Sequence, residues 1–191
     1  MEIIKALRRH IEEIIPLTDN EFELIASYFS ERKFTRGEYV VRQGEKVQHT
    51  FFVVKGLMKL IFNDDSGREH ILSFAMEDWW ETDYLAFHTN TLATMSLKCM
   101  EDTTVLCISL EDYLQLCATV SKIEHFFLKK ATSGHIASQQ RIVSLLSSTA
   151  QEKYLKVLHR YPSLIKRVSK SQLASYLGLS RETLSRLYKG K

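Results

Sequence analysis

The sequence predicts an α+β chain: an antiparallel β domain preceded by helices, then a long helix, then a C-terminal helix-turn-helix. Three observations predict it. Between Phe34 and about Ser109 the residues fall into six short β-rich runs, several separated by turn signals. From Ser121 to about Thr149 a helical period runs without proline. Residues 168–191 carry two capping signals on either side of a glycine, the pattern of two short helices joined by a tight turn.

Residues 3–15 place Ile3, Ile4, Leu7, Ile11, Ile14 and Ile15 at helical spacing. Thr18-x-x-Glu21 is a capping box, and the helix it opens has Phe22, Ile25, Ala26 and Phe29 on its apolar face. The β-rich runs are EYVVRQG, HTFFVVKG, LMKLIFND, EHILSFA, LATMSLKCM and TTVLCISL, with turns at Gly44-Glu45 and Asn63–Gly67. Their spacing of roughly ten residues predicts an antiparallel sandwich or small barrel.

After Leu110 the helical period returns. The helix from Ser121, near 27 residues, would be about 40 Å long, too long for a small domain to bury alone. Its middle, ATSGHIAS, is made of small residues, and Gly134 costs roughly 1 kcal/mol against alanine there. Close approach of a second helix accounts for both, so this helix is expected to self-associate. Gln151 to Arg160 reads as one more helix, stopped by Pro162.

Charge is divided unevenly. Residues 148–191 hold ten Lys/Arg and two acidic residues, a net of +8, while residues 1–147 hold 16 basic and 21 acidic residues, a net of −5. A basic segment of that kind faces either solvent or a polyanion. The motif inside it decides between them. Ser169-x-x-Gln172 caps a helix running through Tyr176, Gly178 fits the left-handed position that ends it, and Ser180 caps the next helix. Leu173, Ala174 and Leu177 supply the apolar contacts of the first helix.

At 100° per residue from Arg181, Ser185 falls at about 40°, Lys189 at about 80°, Glu182 at about 100° and Arg186 at about 140°. Leu184 and Leu187 fall near 300° and 240°, on the opposite side. One face is left free to carry two arginines, a glutamate and a lysine. Arginine forks onto guanine, and glutamate accepts from cytosine N4 in the major groove. A carboxylate among phosphates is unfavourable unless it reads a base, which makes Glu182 the telling residue.

Other classes find little support. No apolar run reaches the roughly 18 residues of a membrane span, because FFVVKGLMKLIF carries Lys55 and Lys59. The start, MEIIKALRRH, lacks a signal-peptide core. Cys99, Cys107 and Cys117 match neither a disulfide framework nor a CxxC site, and three thiols are one short of the usual iron–sulfur complement. Cys99 and Cys107, among apolar neighbours, are expected to be buried inert thiols, and a cytoplasmic location is expected. No GxSxG, P-loop or HExxH pattern occurs. Metal-dependent β-barrel enzymes need two histidines one residue apart plus a carboxylate, whereas His49, His70 and His88 are isolated. The expectation is no enzyme, no cofactor and no metal site. A haem or metal sensor would have to use His88, His125 or His135, whose spacing does not favour one. Trp79, Trp80, Tyr84 and Phe87 line either an apolar ligand pocket or the core.

Taken together, these residues resemble the Crp–Fnr family of transcriptional regulators over nearly the whole chain. Ser180-Arg181-Glu182-Thr183-Leu184-Ser185-Arg186 is similar to the family's recognition-helix signature, and Gly37, Gly44 and Gly56 to its β-roll turns. The resemblance implies a cyclic-nucleotide-binding-like β-roll with N-terminal helices at 1–120, a dimerisation helix at 121–147 and a DNA-binding unit at 148–191. It implies base reading by Arg181, Glu182 and Arg186. Phosphate contacts fall on Ser169, Lys170, Ser171 and Ser180, with Lys189 at the edge of the unit. The implied partners are double-stranded DNA, a second copy of the chain, RNA polymerase and an unidentified small-molecule effector.

Two departures bear on function. Many family members continue past the recognition helix, whereas this sequence stops at Lys191, so fewer phosphate contacts are expected. Cyclic-nucleotide binders of the family carry a Phe-Gly-Glu segment for the ribose and an Arg-Ser or Arg-Thr pair for the phosphate. Here Trp80-Glu81 replaces Phe-Gly, and Ala93-Thr94 stands at the arginine pair. The effector pocket is expected around Trp79, Trp80, Glu81, Thr82, Ala93 and Thr94, with Glu81 or Thr82 left to meet a ribose and no arginine to meet a phosphate. Cyclic AMP is therefore not an expected effector.

Overall fold

Runs of β-branched and aromatic residues between Ser30 and Ser109 form eight short strands, all paired antiparallel in two four-stranded sheets. The computed structural model describes residues 2–189, apart from the side chains of Tyr188 and Lys189. Two helices come first, α1 (Glu2–Glu12) and α2 (Asp19–Ser27). The strands are β1 (Ser30–Phe34), β2 (Tyr39–Val41), β3 (His49–Lys55), β4 (Met58–Asn63), β5 (Glu69–Ala75), β6 (Trp80–Glu81), β7 (Ser96–Cys99) and β8 (Thr103–Ser109). A short helix, α3 (Tyr84–Thr89), joins β6 to β7. One sheet has the order β1-β8-β3-β6 and the other β2-β7-β4-β5. Helices α4 (Leu110–Thr119), α5 (Ser121–Ser147), α6 (Ala150–Arg160), α7 (Pro162–Arg167), α8 (Lys170–Leu177) and α9 (Arg181–Lys189) complete the chain. The architecture is the α+β arrangement of a β-roll, a long helix and a C-terminal helical region.

Strand β3 reads FFVV because both of its faces are covered. Phe51 and Val53 point between the sheets with Val105 and Cys107 of β8. Phe52 points the other way, with Leu106 and Ile108, onto Leu7, Ile11, Ile123 and Phe126 of α1 and α5. That second layer also holds a histidine. His10 is 3% exposed, its ring lies 4.9 Å from Phe52 and 5.6 Å from Phe126, and neither ring nitrogen has a hydrogen-bond partner.

The capping box at Thr18 forms as the sequence implies, with the Glu21 amide donating to Thr18 Oγ1 at 3.3 Å and the Thr18 amide to Glu21 at 2.8 Å. Helix α1 is shorter than the apolar spacing predicts, ending at Glu12. The last apolar residue of that spacing, Ile15, is buried nonetheless. Pro162 does not merely stop α6: it is the first residue of α7, where its missing N–H and fixed φ suit a helix start. Strands β1 and β6 and helix α3 have no clear signal of their own, being short and either exposed or mixed in character.

Gly56 separates β3 from β4 at φ +113°, and a Cβ there would stand 2.7 Å from the Thr103 Cα and 2.8 Å from the Asp102 carbonyl. Gly44 also has positive φ, but open space surrounds it. Gly56→Ala should therefore lower stability by about 2 kcal/mol, and Gly44→Ala by about half of that. Urea midpoints of the full chain test the difference. Equal losses at both sites would mean that backbone strain alone acts.

The chain divides into two compact units, Met1–Lys130 and Ala131–Lys191. Helix α5 starts in the first, where Ile123, Phe126 and Phe127 are buried, and continues in the second. Along it Leu128, Ile136, Ile142, Val143 and Leu146 are 51–83% exposed. At 100° per residue these five fall within about a third of the helix circumference. Gly134, midway, has nothing within 4 Å of a would-be Cβ.

Candidate nucleic-acid interface and sensor region

Helix α8 begins where the Ser169 hydroxyl oxygen accepts the Gln172 amide N–H (3.2 Å) and the Gln172 side-chain oxygen accepts the Ser169 amide N–H (3.0 Å). It ends at Gly178, φ 64° and ψ 36°, whose amide donates to Ser175 while that of Leu179 donates to Ala174. Ser180 then caps α9, accepting the Thr183 amide at 3.1 Å. Leu173, Ala174, Leu177 and Leu184 are buried with Tyr154 of α6, so the two helices cross on a shared core. Arg141 of α5 holds α8 from behind: its guanidinium donates to the Tyr176 carbonyl at 2.8 Å and lies 3.8 Å from the Tyr176 ring centre.

With Leu184 buried, the opposite face of α9 is open. Arg181, Glu182 and Arg186 are exposed and, with Ser185, line one shallow concavity. The Glu182 carboxyl is held below the usual carboxylate range, first by its own backbone N–H, then by the Ser180 hydroxyl, with Arg181 and Arg186 adding to the effect. It is therefore ionised at neutral pH. Ser169, Lys170, Ser171 and Ser180 are exposed around the start of α8 and the turn. The side chain of Lys189 lies outside the described residues.

The expected pocket residues are not all brought together. Strand β6 pairs Trp80 with Phe52 and Glu81 with Phe51 of β3. Alternation then sends Trp80 into the helical layer, 5.2 Å from Phe52 and 5.7 Å from Phe127, and Glu81 between the sheets. Trp79 packs against the inter-sheet core, of which Ala93 is a member. Glu81 is 8% exposed and accepts the Ser73 hydroxyl at 2.5 Å and the Thr82 amide at 3.2 Å. Burial pushes its carboxyl up to about 7, against those two hydrogen bonds. The Thr82 hydroxyl donates to the His49 carbonyl at 2.9 Å and is not turned toward a ligand. Ala93 is 4% exposed, its backbone tied to Gly44 and Glu45. Thr94 binds Asp83, a residue to which the sequence pattern assigns no role. The available signal is local: an aspartate just before a short helical run is a cap.

Residues 31–120 match the family model of the cyclic nucleotide-binding domain. The transcriptional activator protein Anr of Pseudomonas protegens is 26% identical over 169 residues, 82% of this chain and 68% of Anr. The cyclic AMP receptor protein of Thermus thermophilus is 26% identical over 178 residues, 90% of this chain and 81% of that one. Anr is a transcriptional activator by name, as the Crp–Fnr resemblance of the sequence leads one to expect. The solved structure of FixK2 from Bradyrhizobium japonicum has the same fold, with a TM-score of 0.75 at 16% identity over 85% of this chain and 83% of FixK2.

For this chain, similarity to Anr and the cyclic AMP receptor protein points to regulation and not to enzymatic activity. Its other candidate groups fit a structural role. Cys99 and Cys107 are buried between the sheets, and burial pushes the Cys99 thiol up to about 11. His70 pairs with Asp64 at 2.7 Å, and His88 lies against Tyr84, Phe87 and Tyr113. Among the described residues no three metal-ligating side chains converge, and no helix is long and apolar enough to cross a membrane.

Proposed function

We propose that this chain is a Crp–Fnr regulator that binds a palindromic DNA site as a homodimer. Residues 1–120 form the sensor domain, 121–147 the dimerisation helix and 148–191 the DNA-binding unit. The observation that carries the reading is the exposed face of α9, where Arg181, Glu182 and Arg186 stand together opposite the buried Leu184. These three read base edges. Ser169, Lys170, Ser171, Ser180 and Lys189 meet phosphates, which position the unit without specifying sequence. Selecting bound duplexes from a random pool tests it. The expected product is a palindrome with half-sites one helical turn apart, about 34 Å; a pool without enrichment would overturn the reading.

The exposed apolar stripe of α5 supports the dimer, since Ile142, Val143 and Leu146 need cover that a single copy does not give them. Sedimentation should give twice the chain mass at micromolar concentration, and Ile142→Asp should give a monomer that no longer binds the palindrome. A wild-type monomer, free and on DNA, would remove this part.

Cyclic AMP and cyclic GMP are not ligands in this reading. A buried cyclic phosphate needs a cationic partner. Ala93 offers none, and no arginine occurs from 69 to 140. Calorimetry with either nucleotide should show no micromolar binding. The effector is then a different small molecule or none is required.

A further inference from the structure

Asp83 has no exposed surface, and it is the most enclosed carboxylate among the described residues. Four donors converge on it. Oδ1 accepts the Ala86 amide at 3.2 Å, and Oδ2 accepts the Thr94 amide at 2.7 Å, the Thr94 hydroxyl at 2.9 Å and the Met95 amide at 3.0 Å. None of these donors carries a formal charge. A buried carboxylate is tolerable only when its oxygens are satisfied, and here neutral donors alone do it. Three of the four come from Thr94 and Met95, eleven and twelve residues further on, in the segment that enters β7. Ala93 just before them is fixed on both sides, its amide donating to Glu45 and its carbonyl accepting from Gly44, each at 2.8 Å. The loop is thus ordered around an anion that belongs to the chain itself.

We propose that Asp83 is a built-in anion: it takes up the Thr94 and Met95 donors from within, orders the connection between α3 and β7 without any bound molecule, and closes the β-roll to anionic effectors. This rests on reading the β-roll as the sensor domain and deepens the exclusion of cyclic nucleotides. The absence of a cation at Ala93 says only that a phosphate would be unpaired. Asp83 adds that the donors are already used and that a second negative charge would face the first. Glu81, two residues earlier and also enclosed, supplies no cation for a phosphate either. What such a domain can accept is an uncharged or cationic molecule.

The test is chemical rescue on the full chain. In Asp83→Ser the hydroxyl can still cap α3 but is too short to reach Thr94. Amide exchange at Thr94 and Met95 should accelerate at least about tenfold in that variant, while the β3–β8 ladder keeps its protection. Millimolar acetate or inorganic phosphate should restore the protection in Asp83→Ser and change nothing in the wild type. Should Asp83→Ser fail to fold, Asp83→Asn, which retains one oxygen acceptor, should show the same selective acceleration to a smaller extent. Unchanged exchange in the variant, or equal protection of wild type and variant by acetate, phosphate or cyclic AMP, would overturn the proposal. The readout does not involve DNA: a wild type that selects no palindrome defeats the regulatory reading and leaves the Asp83 result standing.

Discussion

Glu182→Ala should relax base preference at one position of each half-site by about tenfold, or about a hundredfold for a two-fold symmetric dimer. Affinity for random duplex should stay equal or rise slightly, because a negative charge has left the interface. Glu182 is ionised on the open face of α9, between Arg181 and Arg186. Beside phosphates that charge is repulsive, so the proposed reading gives it a base donor such as cytosine N4. Lys170 provides the contrast. It is exposed in the first turn of α8, and in the proposed reading it meets phosphate and not base edges. Lys170→Ala should weaken all sequences alike and flatten the slope of log K against log salt by about one unit for each phosphate no longer neutralised. Binding to the selected palindrome, to its single-base variants and to random duplex at two salt concentrations separates the two effects. If Glu182→Ala lowers affinity equally on every sequence, the reading face has been assigned wrongly.

Two buried groups should give opposite dependences of stability on pH that nearly cancel in the wild type. Burial first, and the positive charge of Lys130 second, lower His10 from 6.5 to about 4. Among the described residues the carboxylate paired with it is that of Glu13, 3.7 Å away. The unfolded chain therefore takes up this proton before the folded one. The contribution of His10 is present above about pH 6.5 and falls away as pH drops toward 4, by about 3 kcal/mol. Burial raises Glu81 from 4.5 to about 7. Here the folded chain keeps a proton that the unfolded one gives up, so the contribution is present below about pH 4.5 and falls away as pH rises toward 7, again by about 3 kcal/mol. His10→Leu should leave a chain whose stability falls with rising pH between 4.5 and 7. Glu81→Gln should leave one whose stability falls with falling pH between 6.5 and 4. Denaturant midpoints at half-unit steps of pH test the signs. Parallel slopes in the two variants would defeat the prediction. Glu21 and Asp64, lowered by hydrogen bonds and, for Glu21, by Lys122, act below this window.

Much of the candidate interface is legible because its signals are local. The caps at Ser169 and Ser180, the left-handed Gly178 and the opposed faces of α9 depend on residues within four positions of each other. The sensor region is not legible to the same degree. Trp79 and Trp80 are neighbours in sequence and are expected in one pocket, yet the register of β6 on β3 sends Trp80 into the helical layer, while Trp79 packs between the sheets. No local preference sets that register.

Local patterns set the capped starts of α2, α8 and α9, the strand-rich middle, the basic C-terminal unit and which side of α9 is open. These follow from hydrogen bonds and periodicities only a few residues long, which every copy of the segment carries wherever it folds. Long-range packing sets the rest: Asp83 is held by Thr94 and Met95, His10 lies between Phe52 and Phe126 without a hydrogen bond, and Arg141 grips Tyr176. In each case the partners lie eleven or more residues apart, and the energy comes from burial that exists only after the sheets and helices have closed.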